Sequence, residues 1–189
     1  MDVLTVIKNR RSVRAFNGQA LSAELLQELL LMGTKAPSGK NRQPWSFVVL
    51  QEKAKERLVS LMEKTAGEKE AKGQNIGSLR ISLQAIREAG AIVLVYNPYA
   101  RLEPDYSANR RLMDTQSIGA AIENIILAAE AHSLGTLWIC DVFQCEPAIS
   151  DCFGQADELV AAVAIGYPAQ HPYERPRKSL EQVTTWLCD

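Results

Sequence analysis

Apolar residues recur along the chain in two rhythms, one helical and one of short continuous runs. Asp2 suits an N-cap, and Val3, Leu4 and Ile7 fall on one side of a short helix that Asn9-Arg10-Arg11-Ser12 interrupts. Ser22 opens a second helix with Leu25, Leu26, Leu29 and Leu30 on one face. It should stop near Gly33, because Pro37, Gly39 and Pro44 follow, leaving a long loop from Thr34 to Trp45. Ser46-Phe47-Val48-Val49-Leu50 reads as a strand, followed by a charged helix from about Lys53 to Ala66 and a polar stretch through Gly73 and Gly77 that is expected to be mobile.

A helix is predicted over Leu79 to Glu88. The run Ala91-Ile92-Val93-Leu94-Val95-Tyr96 is a strand buried on both faces, which places it in the middle of a sheet. In the segment from about Ser107 to His132, Ile118, Ala121, Ile122, Ile125, Ile126, Ala129 and then Leu134 keep helical spacing, with Gly135 placed to end the element. Small residues on the other faces of this longest helix make it central, either buried or at an interface. Thr136–Cys140 and Leu159–Ile165 are further strands, and Pro147 suits the first turn of a short helix between them. Beyond Gly166 the chain is an extended, proline-bearing tail whose apolar Trp186 and Leu187 predict that it packs on something. Strands alternating with helices imply an α/β or α+β sheet covered by helices.

The chain of 189 residues fits a single domain, 1–189, and its 47% apolar and 23% charged residues are those of a globular protein. A net charge of -1 argues against a chain built mainly for nucleic acid or anionic lipid, so any basic site is local. The start lacks the basic region and long apolar stretch of a signal peptide, and Leu159–Ile165 is too short to span a bilayer, so a cytoplasmic protein is expected. Cys140, Cys145, Cys152 and Cys188 lack CxxC spacing and nearby histidine pairs, which makes reduced thiols the expectation over a metal site.

Local basic sites do exist. Arg10, Arg11, Ser12 and Arg14 put three guanidinium groups and a hydroxyl within five residues, a set that matches a phosphate monoester and its sugar chain, or equally a solvated basic turn. Arg175-Pro176-Arg177-Lys178 lies in the tail, and convergence of the two clusters on one dianion would offset their mutual repulsion. The loop Ala36-Pro37-Ser38-Gly39-Lys40-Asn41-Arg42-Gln43-Pro44-Trp45 could line a polar heterocycle or simply connect a helix to a strand. Neither His132 nor His171 stands in a nucleophile motif, and GxSxG, HExxH, Walker and GxGxxG patterns are all absent, which disfavours triad hydrolysis and a Rossmann dinucleotide site.

The order RRSVR, PSGKNRQPW before a strand, a long helix with Glu123-Asn124 and LAAEAHSLGT, then AIGYP and RPRK resembles the nitroreductase family from Val6 to Trp186. The resemblance implies an α+β fold with a central, mainly antiparallel sheet flanked by helices, a long central helix, and a homodimer that exchanges extended C-terminal tails. It implies FMN at the subunit interface. Arg10 and Ser12 would face phosphate and ribityl chain, with Arg11 beside them, and Arg14 would face the pyrimidine edge. Arg177, helped by Arg175, would complete the phosphate site, and Pro37, Ser38, Gly39 and Asn41 of the other subunit would meet the ring and ribityl chain.

Ile139, Cys140 and Asp141 correspond to the stretch whose backbone approaches flavin N5. For Cys140, a plain buried strand cysteine is the other reading. The implied reaction is ping-pong transfer of two electrons from NADH or NADPH to a small electron-poor acceptor of nitroaromatic or quinone type, with no protein nucleophile, metal, membrane or nucleic acid. The asparagine or glutamine that relatives carry before the second strand has no counterpart around Gln84 to Glu88. Tyr99–Tyr106 is either channel lining or a solvated loop. Same-fold alternatives are dehalogenation, flavin cleavage or ring dehydrogenation. FMN binding without turnover and a basic nucleic-acid module are the alternatives from other classes.

Overall fold

The computed structural model describes residues 2–188. In chain order its elements are α1 (Val3–Asn9), α2 (Ala23–Gly33), β1 (Ser46–Leu50), α3 (Glu52–Ala71), α4 (Leu79–Glu88), β2 (Ala91–Asn97), α5 (Tyr99–Leu102), α6 (Ala108–Ala131), β3 (Gly135–Ile139), α7 (Ala148–Phe153), β4 (Glu158–Gly166) and α8 (Leu180–Val183). The sheet order is β1-β2-β4-β3 and every adjacent pair is antiparallel, so the fold is α+β.

β2 and β4 sit inside the sheet, and their side chains divide between two cores by strand alternation. Ile92, Leu94 and Tyr96, with Ala162 and Ala164, pack on the face covered by α3, α4 and α7. Ala91, Val93 and Val95, with Ala161, Val163 and Ile165, pack on the face covered by α2 and α6. Helices on both faces explain why these strands read as continuous apolar runs although they are antiparallel.

The helix starts follow their caps. The Asp2 carboxylate accepts from the N–H of Leu4 at 3.0 Å, Ser22 Oγ from Leu25 at 3.2 Å and Ser107 Oγ from Arg110 at 3.3 Å. Two boundaries differ from expectation. α3 continues through Gly67 to Ala71 because Ala66 is buried and the carboxylate of Glu70 accepts from Arg80 Nε of α4 at 3.0 Å, and the helix stops before Gly73 at φ 65°. α6 ends at Ala131, with Ser133 at φ 60° rather than Gly135 supplying the left-handed residue.

Gly135 instead opens β3, where a Cβ would stand 2.8 Å from the Val13 side chain. That close approach lets residues 12–13 lie along β3, with Ser12 bridged in parallel to Thr136 and the Val13 N–H donating to the Thr136 carbonyl at 2.8 Å. The tail passes back over the same corner. Phe16 bridges Pro168, and the Ala169 N–H donates to the Ala15 carbonyl at 2.9 Å. Beyond it, α8 was not foreseen, although Ser179 and Gln182 form the capping box that marks it. Among the described residues, no helix is long and apolar enough to cross a membrane.

Candidate functional site

The two basic clusters meet at that corner. Arg10, Arg11, Ser12 and Arg14 surround an open cleft of about 430 Å³ together with Gln170, His171, Pro172, Tyr173, Arg175 and Arg177. The Val13 bridge to β3 fixes the N-terminal side. Gln170, its amide oxygen turned to the backbone, accepts from the N–H of Ala15 at 3.2 Å and from that of Arg14, and so fixes the tail side. Gln170 is a site residue that sequence reasoning missed, and nothing in its sequence context singled it out.

Acidic neighbours balance this charge only loosely. Arg10 Nε lies 3.6 Å from Glu123 of α6, and Arg11 lies 3.5 Å from Glu174. Arg11 is also held by the carbonyls of Lys8 and Arg10, at 2.6 and 2.9 Å. Arg175 stacks over Tyr173, 4.9 Å from the ring centroid, leaving its edge N–H groups available. Burial pushes the Glu130 carboxyl up, while Arg10 and Arg11 pull it the other way.

Arg14 is shared with a second recess, of about 190 Å³, lined also by Ser78, Ile81, Ser82, Leu137, Trp138, Ile139, Cys140 and Asp141. Ser78 and Ser82 both donate to Asp141, Ser78 at 2.7 Å, which ties α4 to the end of β3. The start of α4 therefore presents hydroxyl groups here, from Ser78 and Ser82, six and two residues before the Gln84–Glu88 stretch.

β3 is an edge strand, and backbone groups alternate in direction along it. Thr136 faces outward, since its carbonyl is taken by Val13, so Trp138 and Cys140 also turn their N–H groups outward past the end of that pairing, while Ile139 faces β4. Within Ile139-Cys140-Asp141, Cys140 is thus the residue that offers a free edge N–H. Cys140 lies exposed just past the end of β3, so the reading as a buried strand cysteine does not hold. Partial burial first, then Asp141, pushes its thiol up from its ordinary value, which disfavours the thiolate.

Pro37, Ser38, Gly39 and Asn41 line neither recess. Gly39–Asn41 is a short 3₁₀ turn with Ser38 at its N-cap, and in it and just after it Lys40, Asn41 and Gln43 have φ of 53°, 54° and 51°. Ser38 Oγ accepts from the Gln43 N–H at 3.0 Å across the turn. Arg42, not singled out from sequence, anchors the turn to Asp114 of α6 with two hydrogen bonds of 3.0 and 3.1 Å.

An antiparallel sheet between helical layers, with a basic cleft that continues through Arg14 to the edge of β3, defines an α+β protein with a site whose cations match an anionic group. Comparison with known proteins narrows that class. The nitroreductase family profile matches residues 7–167, and the chain belongs to the nitroreductase family. It is 29% identical over 170 residues to YdjA of Escherichia coli strain K12, which carries the name NAD(P)H nitroreductase, with 89% of each chain covered. A nitroreductase-like family protein from Bacillus cereus superposes with a TM-score of 0.82 at 26% identity, over 99% of this chain and 96% of that one. A nitroreductase from Desulfovibrio desulfuricans, solved in complex with FMN, gives 0.79 at 28% identity over 100% and 98%.

Proposed function

We propose that this protein is an FMN-dependent NAD(P)H oxidoreductase that works as a cytoplasmic homodimer, one domain per subunit. The observation that carries the reading is the convergence of Arg10, Arg11, Ser12 and Arg14 with Arg175 and Arg177, from opposite ends of the chain, on one cleft that continues through Arg14 to the free edge of β3.

These residues fit the cofactor on chemical grounds. A phosphate dianion would offset the repulsion among guanidinium groups whose acidic neighbours lie no nearer than 3.5 Å. Arg10, Arg11, Arg175 and Arg177 would hold the phosphate and Ser12 the ribityl chain, with Arg14 where the cleft gives way to the second recess. There, the positive charge of Arg14 would favour an anionic reduced ring, and Cys140 would offer its backbone N–H as a donor. Bound FMN supplies two-electron chemistry, between NADH or NADPH and a small electron-poor acceptor of nitroaromatic or quinone type, in ping-pong order. The protein binds and orients the reactants, and the reaction needs no protein nucleophile.

Dimerisation is supported by what one chain leaves open. Val3, Leu4 and Ile7 of α1 are 65%, 64% and 53% exposed, and Trp186 and Leu187 of the tail 75% and 89%. The turn carrying Pro37, Ser38, Gly39 and Asn41 lies outside both recesses of its own chain, as expected if it completes the site of the other subunit. Exchange of the tails would cover the apolar residues at both ends. The free thiols suit a reducing compartment.

The test is the visible absorption spectrum of the freshly purified protein, followed under anaerobic addition of NADH or NADPH. A flavin band that bleaches is the expected result. A band that bleaches only with dithionite would replace the NAD(P)H reading with FMN binding or another donor, and a colourless protein unable to take up FMN would overturn the proposal.

A further inference from the structure

The buried polar cluster at the start of α6 lies outside both recesses. Asp114 is fully buried, and its carboxylate accepts both bonds from Arg42 and a third, of 3.0 Å, from the Tyr106 hydroxyl. The Tyr106 hydroxyl in turn accepts from the Asn97 amide at 2.7 Å. Arg42 also pairs with Glu103 at 2.8 Å and lies 4.3 Å from the centroid of the Tyr99 ring, while the Tyr99 hydroxyl donates to the Arg42 carbonyl at 3.1 Å. Three residues of the 97–106 segment, Tyr99, Glu103 and Tyr106, therefore grip one arginine or its carboxylate, and Asn97 braces Tyr106. That arginine sits inside a turn where three of its near neighbours hold left-handed backbone angles, a conformation that persists only where the surroundings impose it.

We propose that Arg42 and Asp114 are positioning residues that set the 37–43 turn for the cofactor ring and bind the 97–106 segment to that turn. Occupation of the ring site and ordering of the segment then rise and fall together. The inference rests on the flavin reading of the 37–41 turn. It assigns to Tyr99–Tyr106 a place on the substrate side of the site, because the segment shares its anchor with the turn that meets the ring.

The test uses the full-length dimer, wild type first, then Asp114→Asn and Tyr106→Phe. FMN and riboflavin are titrated by flavin fluorescence, and chymotryptic cleavage at positions 99, 102 and 106 is timed with and without saturating FMN. In the wild type, FMN should slow cleavage of the segment severalfold. Asp114→Asn should weaken FMN and riboflavin alike by about tenfold, and Tyr106→Phe by about threefold, the size of coupling that networks of this kind carry. In both variants FMN should no longer slow cleavage. An equal loss for the two flavins marks a defect at the ring end, since a phosphate-end defect falls on FMN alone. Unchanged affinity, or full protection by FMN in the variants, overturns the inference while leaving the flavin reading intact. Failure of the wild type to bind either flavin overturns both. If Asp114→Asn does not fold, Tyr106→Phe, which removes a single hydroxyl, decides the matter.

Discussion

Arg42 and two arginines of the cleft, Arg10 and Arg11, are similarly sheltered yet serve opposite ends. The side chains of Arg42, Arg10 and Arg11 are 18%, 24% and 25% exposed, so burial does not tell them apart. Their partners do. Arg42 meets Asp114, 1% exposed, at 3.0 Å, whereas Arg10 and Arg11 stand 3.6 and 3.5 Å from carboxylates that are 46% and 72% exposed. A guanidinium matched bidentately inside the protein is committed to holding it together; one loosely matched at the surface keeps its donors for a ligand. The Asp114 hydrogen bonds raise the Arg42 guanidinium well above its ordinary value, and although burial opposes it, Arg42 and Arg110 hold the Glu103 carboxyl below its own.

The largest expected effect follows from breaking the committed pair. Asp114→Ala removes both Arg42 bonds and the Tyr106 bond, leaves Arg42 only its pairing with Glu103, and should lower stability by about 3 kcal/mol in urea unfolding at fixed dimer concentration. Loss of less than about 1 kcal/mol would put Arg42 in the same class as the cleft arginines and dissolve the contrast.

Arg177→Ala and Arg10→Ala should do the reverse. Each leaves unfolding within about 0.5 kcal/mol of wild type. Each removes a charge-assisted bond to phosphate worth roughly 1.5–3 kcal/mol, a loss of about ten- to a hundredfold in FMN affinity. Riboflavin, lacking the phosphate, should be nearly indifferent to both changes. Unchanged FMN affinity in either variant would remove that residue from the phosphate site.

This contrast marks how far the sequence could be read. Caps at Asp2 and Ser22, the double-sided strand at Ala91–Tyr96 and the small-residue helix ending near His132 are local signals, and each names its element. The antiparallel order is not local: continuous apolar runs report burial on both faces and are silent about strand direction. Composition likewise marked Arg10, Arg11, Arg14, Arg175 and Arg177 as clusters but could not show that they face one cleft. Arg42 escaped notice because its role is set by Asp114, far along the chain. The available signal was Asp114 itself, an acid four residues before Ile118 and so on the buried stripe of α6.

The smallest effect concerns Glu130, which faces the cleft arginines from α6 and separates burial from pairing as the governing influence. Its carboxyl is raised because burial outweighs Arg10 and Arg11. A raised acid binds its proton more tightly in the folded state, so its contribution to stability is complete below the ordinary value of 4.5 and is lost as pH rises through the folded value. At neutral pH the charged form is therefore a net cost, and Glu130→Gln should stabilise the protein by a few tenths of a kcal/mol, within the roughly 0.5 kcal/mol typical of sites away from the core. The gain should vanish near pH 4, where both forms are neutral. If Glu130→Gln instead destabilises at neutral pH, the carboxylate is a committed partner of Arg10 and Arg11, and the cleft resembles the Asp114 cluster more closely than the distances around Glu123 and Glu174 indicate.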